Sequence, residues 1–189
     1  MRVFPLWCTG SRTFGHLTME LLIDYPQFIT ATIYQWKHLL KPDKYKEVLV
    51  ASLQFLVRDD RVIVYAFCIL SNHIHLIWQM KPGHSREHVQ RDFLKFTAQT
   101  IRFDLGKNHP DVLSHFQVNL KDRKYQFWKR NALSVDLFTD TVFRQKLNYI
   151  YQNPVKAGIC ETPEDYLWSS ARFYESGDLT YNFLTYYSG

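Results

Sequence analysis

The feature that most constrains this chain is a pair of histidines, His73 and His75, one residue apart inside an apolar stretch. Residues 68–78 read Cys-Ile-Leu-Ser-Asn-His-Ile-His-Leu-Ile-Trp. In a β-strand successive side chains point to opposite faces, so the two histidines share one face of a sheet. The other face, which is predicted to pack into the core, carries Ile74, Leu76 and Trp78. Two imidazoles about 7 Å apart on one face form half of a metal site.

The composition indicates one globular domain without a membrane-spanning segment. Of the 189 residues, 46% are hydrophobic and 16% aromatic, which is enough for a packed core. No apolar run reaches the roughly 18 residues needed to cross a bilayer. The three cysteines, Cys8, Cys68 and Cys160, include no CxxC pair, so neither a disulfide framework nor a zinc ribbon is expected. The sequence therefore predicts a cytoplasmic protein, and its net charge of +5 favours nucleic acid over a membrane as the partner.

Hydrophobic periodicity predicts an α+β fold with the element order β-α-β-β-α-β-α, built on an antiparallel sheet with helices packed largely on one face. Strands are predicted over residues 27–36, over residues 61–69 as an interior strand, and around the histidines, with the last two forming a hairpin. Helices are predicted to begin at Asp43 and Ser85, which serve as N-caps, and at Asp140. The predicted division of the chain is an N-terminal extension, the main domain and a C-terminal tail, over residues 1–26, 27–160 and 161–189.

The last predicted helix, from about Asp140 to Gln152, carries the candidate nucleophile. Its buried stripe is predicted to consist of Phe143, Leu147, Ile150 and Tyr151. Tyr149 falls roughly 135° from the centre of that stripe, so its phenol is predicted to project from the polar face. Asn153 follows one turn later along the same edge. Tyr151 is the competing tyrosine, but its place beside the apolar stripe predicts burial.

Asn153 has two interpretations. Its amide oxygen can serve as the third ligand of a metal held by His73 and His75, a donor set with open positions that suits Mg²⁺ or Mn²⁺ bound to phosphate. Such a metal would polarise a phosphodiester oxygen while Tyr149 attacks phosphorus. In the alternative, Asn153 and Pro154 only end the helix, because proline disfavours the helical conformation of the residue before it.

Basic side chains on the second predicted helix and in the segment 121–130 are candidates for holding DNA. They are Arg91, Lys95, Arg102, Lys121, Arg123, Lys124, Lys129 and Arg130. Aromatic residues interleave with the basic ones in the segment, as in surfaces that stack bases and bind phosphates. An ordinary solvated loop with Trp128 anchored in the core explains that segment equally well.

Three motifs in order resemble the single-tyrosine transposases of the HUH endonuclease superfamily, in particular the REP-associated tyrosine transposases. They are His-Ile-His at 73–75, Tyr-Ile-Tyr-Gln-Asn-Pro-Val-Lys-Ala-Gly at 149–158, and Trp-Ser-Ser at 168–170. The resemblance covers roughly residues 27–175, and the ordered combination is more specific than any one motif. The chain departs from the family at Ser71, where proline is common, and at Asn153, where many relatives carry glutamine.

The resemblance implies a ferredoxin-like or RNA-recognition-like fold with the histidine motif on a central strand. It implies a divalent metal, Mg²⁺ or Mn²⁺, held by His73, His75 and Asn153. It also implies that Tyr149 cleaves single-stranded DNA, usually a hairpin, through a 5′-phosphotyrosine link that leaves a 3′-hydroxyl. Close relatives are dimers while the REP-associated group can act as monomers, so a homodimer is one expectation.

Two other functions fit the same residues. A non-catalytic DNA-hairpin-binding protein derived from such a transposase would bind DNA without forming a covalent product. A metal-dependent phosphodiesterase would use water in place of Tyr149. Replacing that tyrosine with phenylalanine discriminates the three, because only the transposase needs the phenol for strand cleavage.

Overall fold

The structure is a computed structural model, and it describes residues 25–189. The predicted extension over residues 1–26 lies outside the described residues except for Tyr25 and Pro26. The strands are β1 Gln27–Thr32, β2 Val62–Ile69, β3 His73–Met80, β4 Gln117–Leu120, β5 Arg123–Tyr125 and β6 Leu133–Asp136. The helices are α1 Asp43–Arg58, α2 Arg86–Asn108, α3 Pro110–Ser114, α4 Asp140–Lys156 and α5 Ala171–Ser176. Within residues 25–189, no helix is both long enough and apolar enough to span a membrane.

Four strands form one antiparallel sheet in the order β2-β3-β1-β6, and β4 pairs with β5 in a separate hairpin. The predicted hairpin of β2 and β3 is confirmed, and the histidine strand β3 lies inside the sheet as predicted. The predicted α+β fold class is therefore confirmed.

The two faces of the sheet are covered by different helices. Apolar residues of α1 and α2 form one core cluster with Ile74, Leu76 and Trp78, the face of β3 that was predicted to be buried. On the opposite face, α4 places Phe143 and Ile150 in a second cluster. Ile77, two residues after His75, belongs to this second cluster, so the histidines face the same side and α4 is the helix that covers them.

The strand β2 differs from its prediction as an interior strand. It lies at the edge of the sheet, yet seven of its eight residues are buried. The C-terminal segment covers the free edge, because the backbone N–H groups of Ser170 and Thr185 donate to the carbonyl oxygens of Phe67 and Val64, at 2.9 and 3.0 Å. The two core clusters thus bury the faces of β2, and the tail covers its edge in place of another strand.

The helix α4 runs through Pro154, so the prediction that it ends at Asn153 was wrong. Proline adopts the helical φ, and the turn resumes with the Ala157 N–H donating to the Asn153 carbonyl at 3.0 Å. Pro154 is also buried, and its packing offsets the hydrogen bond that its nitrogen cannot donate. The consequence is that Asn153 remains helical, one turn beyond Tyr149.

Other predicted boundaries shift as well. The first strand ends at Thr32 rather than at residue 36, where a 3-10 turn over Tyr34–Trp36 replaces it. Asp43 is not an N-cap but the first residue of α1, and its carboxylate accepts a hydrogen bond from Lys46 at 2.7 Å. The predicted cap by Ser85 is confirmed, since its hydroxyl accepts from the His88 N–H.

Candidate active site

The two histidines lie side by side on β3, with ring centroids 4.7 Å apart, and an oxygen of a neighbour contacts Nδ1 of each ring. The Nδ1 of His75 is 2.8 Å from the hydroxyl oxygen of Thr30, its partner across β1. The Nδ1 of His73 is 2.7 Å from the side-chain oxygen of Asn72, which only accepts, so this nitrogen donates. Contacts of this kind fix the tautomer of metal-binding histidines and leave the Nε2 lone pair available.

Asn153 approaches the histidines from α4. Its Nδ2 is 3.1 Å from the Nε2 of His75, and its side chain also hydrogen-bonds His73. A half-turn of the amide exchanges its nitrogen and oxygen, which places the oxygen in the same position. Two imidazole nitrogens and one amide oxygen therefore converge, and this neutral donor set fits a divalent ion whose other ligands are water and phosphate.

Burial keeps both histidines uncharged at neutral pH. Desolvation lowers the pKa of His75 to about 3, with smaller contributions from the charge that His73 carries when it is protonated and from the ammonium of Lys146. Desolvation also lowers the pKa of His73, against the opposing effect of the hydrogen bond with Asn153. Metal binding requires neutral imidazole, so the environment supplies the protonation state that a metal site needs.

Tyr149 is the accessible tyrosine of α4. Its side chain is 41% exposed, and its ring lies edge-on to those of His75 and Phe28, with centroid distances of 5.1 and 5.8 Å. Tyr151, the competing tyrosine, is 7% exposed, and burial raises its pKa well above the usual value. The predicted exposure of Tyr149 and the predicted burial of Tyr151 are both found.

Lys146 was missed in the sequence analysis. Its ammonium lies over the rings of Phe28 and Tyr149, 4.8 and 5.7 Å from their centroids. Within residues 25–189 no carboxylate forms an ion pair with it. The signal in the sequence was its position three residues before Tyr149, a spacing that places both on one helix face.

The predicted DNA-binding residues gather along a groove of about 860 Å³ between α2 and the segment 122–132. Seven of the eight line it, namely Arg91, Lys95, Arg102, Arg123, Lys124, Lys129 and Arg130, while Lys121 borders a separate depression at the β4–β5 turn. Trp128 is buried and donates from Nε1 to Thr97 at 3.1 Å, so the core anchor of the alternative interpretation is present as well.

The groove reaches the histidine face at Lys129. The backbone N–H of Lys129 donates to the Thr32 carbonyl at 2.7 Å, beside a bridge between Ile33 and Trp128. Thr32 in turn pairs with His73. Directly opposed residues of antiparallel segments share a face, so Lys129, Thr32 and His73 form one row across β1, β3 and the bridged segment at Trp128.

Comparisons with known proteins place this geometry in context. No protein-family model matches the chain. A Haemophilus influenzae protein named "Putative REP-associated tyrosine transposase" is 32% identical over 108 residues, which span 56% of this chain and 56% of that protein. The matched region is thus little more than half the length of either protein.

Two solved structures match parts of this chain. One is a REP-associated tyrosine transposase bound to a REP hairpin, with a TM-score of 0.61 and 21% identity over 82% of this chain and 81% of the other. The second is described as a putative transposase from Deinococcus radiodurans, with a TM-score of 0.45 and 11% identity over 69% and 92% of the two chains. The first match supports the predicted fold.

Proposed function

We propose that this chain nicks and rejoins single-stranded DNA with Tyr149 as nucleophile. Its similarity in sequence and in fold to REP-associated tyrosine transposases supports this proposal. The observation that carries the proposal is that one chain brings an exposed tyrosine within 5.1 Å, between ring centroids, of a buried histidine that also contacts Asn153. A nucleophile and a candidate ion site on one face are what transesterification at phosphorus needs.

In the proposed reaction the Tyr149 oxygen forms a bond to phosphorus as the bond from phosphorus to the 3′-oxygen breaks. The phenolic proton leaves to solvent, and the departing 3′-oxygen takes up a proton to become a 3′-hydroxyl. The DNA remains attached through a 5′-phosphotyrosine. Rejoining reverses these steps when a 3′-hydroxyl attacks the phosphotyrosine, so the bond energy is conserved and no ATP is required.

His73, His75 and Asn153 are the residues proposed to hold Mg²⁺ or Mn²⁺. A bound divalent ion supplies charge stabilisation at the phosphodiester oxygens. The chain's own contribution is to fix the imidazoles through Thr30 and Asn72, and to keep them neutral by burial. Both features lower the cost of assembling the site.

Lys146 is proposed to bind the phosphate that Tyr149 attacks. Its ammonium lies on the same helix face as the phenol, and no carboxylate of the described residues neutralises it. A cation in a half-buried position stabilises negative charge more strongly than one in water, because the local dielectric is lower. Lys146 therefore favours both the bound phosphodiester and the charge that develops on it.

The proposed partner is single-stranded DNA with a hairpin, since the relative of similar fold is bound to a REP hairpin. The basic groove would hold the phosphates and lead the strand past Lys129 to the histidine face. Tyr149, His75 and Asn153 meet within one chain, so the proposed chemistry needs no second copy.

One observation favours the second candidate, a non-catalytic hairpin-binding protein. Residues 25–189 contain no cluster of three histidine, cysteine, aspartate or glutamate side chains that could hold a metal. The third donor is the short, neutral amide of Asn153, which binds divalent ions more weakly than a carboxylate does. A protein that had lost its ion would keep the groove and bind DNA without cleaving it.

A denaturing gel discriminates these functions. The protein is incubated with Mn²⁺ or Mg²⁺ and labelled single-stranded hairpins taken from the flanks of its own gene. The proposal expects label at the size of the protein with the wild type and the Tyr151→Phe control, but not with Tyr149→Phe or His73→Ala. Cleaved DNA without an adduct would indicate a phosphodiesterase that uses water. Binding with neither product would favour the second candidate.

A further inference from the structure

Trp36 is a large apolar side chain left in solvent at the edge of the candidate site. Its side chain is 56% exposed, and its ring lies edge-on to His73, with centroids 5.9 Å apart and planes at 76°. Exposing an indole is unfavourable, and tryptophans left open in this way are enriched where another molecule covers them. The position beside His73 places such a molecule at the site itself.

The backbone that presents this tryptophan adopts an unusual conformation. Gln35 and Trp36 both have left-handed backbones, with φ of 56° and 58°, although neither is a glycine or asparagine. Such conformations are unfavourable for residues with a Cβ and persist where the surroundings enforce them. Here the Trp36 N–H donates to the Ile33 carbonyl at 2.9 Å, which closes the turn.

Asn72 links this turn to His73. The Asn72 amide nitrogen donates to the Trp36 carbonyl at 3.4 Å, while its oxygen accepts from the Nδ1 of His73 at 2.7 Å. One side chain thus joins the backbone that carries the indole to the imidazole of His73.

The location of Trp36 also matches the path of a strand from the groove to the nucleophile. Lys129 belongs to the row that contains Thr32 and His73, and Trp36 follows Thr32 closely in the chain. From Trp36, ring contacts run through His73 and His75 to Tyr149. The indole thus stands at one end of a row of ring contacts, and the proposed nucleophile stands at the other end.

We infer that Trp36 is a stacking site for one unpaired base of the single-stranded DNA, next to the phosphodiester that is cut. The inference rests on the proposed function and deepens it, because it names a base-binding position that the basic residues do not supply. Every base has an aromatic face, so this site would hold a base in place without reading its identity. The phosphate beside that base would then lie near His73.

An abasic scan tests the inference. Hairpin oligonucleotides from the flanks of the chain's own gene are made with a single abasic nucleotide at each unpaired position. Binding is measured with Tyr149→Phe protein, which leaves the DNA intact, and with the same protein also carrying Trp36→Ala or Trp36→Phe. Phe55→Ala, which removes an exposed aromatic residue of α1, is the matched control, and thermal unfolding verifies that each variant is folded.

The inference expects one abasic position to weaken binding about tenfold in the parent protein. Trp36→Ala should weaken binding to intact DNA by a similar factor, and in this variant the abasic nucleotide at that position should cause no further loss of affinity. Trp36→Phe and Phe55→Ala should behave like the parent. If a folded Trp36→Ala protein keeps the parent's loss at every abasic position, the inference is wrong. In that case the wild type would still form the covalent adduct in the denaturing gel. Absence of the adduct is a different result, and it would contradict the proposed function itself.

Discussion

The Nε2 of His75 and the amide nitrogen of Asn153 are 3.1 Å apart, although 78 residues separate them in the chain. On its other side, the His75 ring is held by Thr30 through Nδ1 at 2.8 Å. Both ring nitrogens therefore have polar partners inside a largely buried site. This contact joins the sheet to α4 at the place where the candidate ion site and the candidate nucleophile meet.

Replacing Asn153 with alanine tests whether this contact marks a metal site. A ligand that binds only the folded protein raises its unfolding temperature, so Mn²⁺ should raise the Tm of the wild type. Asn153→Ala should lose most of that increase, because one of the three proposed ligands is gone. The matched control is Asn148→Ala, an exposed asparagine of the same helix. An equal increase in Asn153→Ala and the wild type would exclude Asn153 as a ligand.

The lowered pKa of His75 predicts a pH dependence of stability in the metal-free protein. Its folded-state pKa is about 3, below the ordinary value of 6.5, so the unfolded chain binds the proton more readily. The unfolding free energy should therefore fall as the pH drops from 6.5 to 5, by up to about 1.4 kcal/mol per pH unit for one such group. Urea denaturation measures this slope.

His75→Gln should reduce the slope, whereas His88→Gln, which removes an exposed histidine at the start of α2, should leave it unchanged. The same slope in His75→Gln and the wild type would show that the imidazole of His75 is not kept neutral by burial.

Lys146 is expected to act in the strand-cleavage step. Lys146→Met should slow adduct formation by about tenfold to a hundredfold in single-turnover experiments, since a cation beside the attacked phosphate is lost. Lys146→Arg should recover much of the rate because it restores the charge. Lys156→Met, which removes an exposed lysine from the last turn of α4, is the control. Equal rates for Lys146→Met and the control would remove Lys146 from the proposed mechanism.

Much of this site was predictable because local sequence patterns determine which side chains share a face. Strict alternation in β3 puts His73 and His75 on one face, whatever the rest of the fold does. Helical phase likewise exposes Tyr149 and buries Tyr151, and the spacing of four residues places Asn153 on the edge of Tyr149. These patterns need no knowledge of which elements pack together.

What could not be predicted depends on contacts between distant parts of the chain. The free edge of β2 is covered by Ser170 and Thr185, which lie more than 100 residues later. Trp36 is exposed on a turn with left-handed backbone conformations, and this turn contains no glycine from which it could be predicted. Pro154 continues a helix that proline usually ends, because burial of its ring makes up for the lost hydrogen bond.

The basic groove predicts a salt dependence that can be assigned to single residues. Each phosphate contact to single-stranded DNA contributes about 0.7 to the slope of log affinity against log salt concentration. Lys95→Ala, Arg102→Ala and Lys129→Ala should each lower the slope by about that amount, while Arg58→Ala on α1 should not. Lys121→Ala should have the smaller effect, since this residue lies outside the groove. Slopes equal to that of the wild type would show that the DNA does not bind in the groove.

Mass spectrometry of the adduct identifies the residue that becomes linked to DNA, which we propose is Tyr149. Trypsin releases residues 147–156 as one peptide, which contains both Tyr149 and Tyr151, so fragmentation between the two tyrosines is needed to assign the nucleotide. We expect a nucleotide mass on Tyr149 in the wild type and in Tyr151→Phe, and no modified peptide in Tyr149→Phe. A nucleotide on Tyr151, or an adduct that persists in Tyr149→Phe, would show that Tyr149 is not the nucleophile.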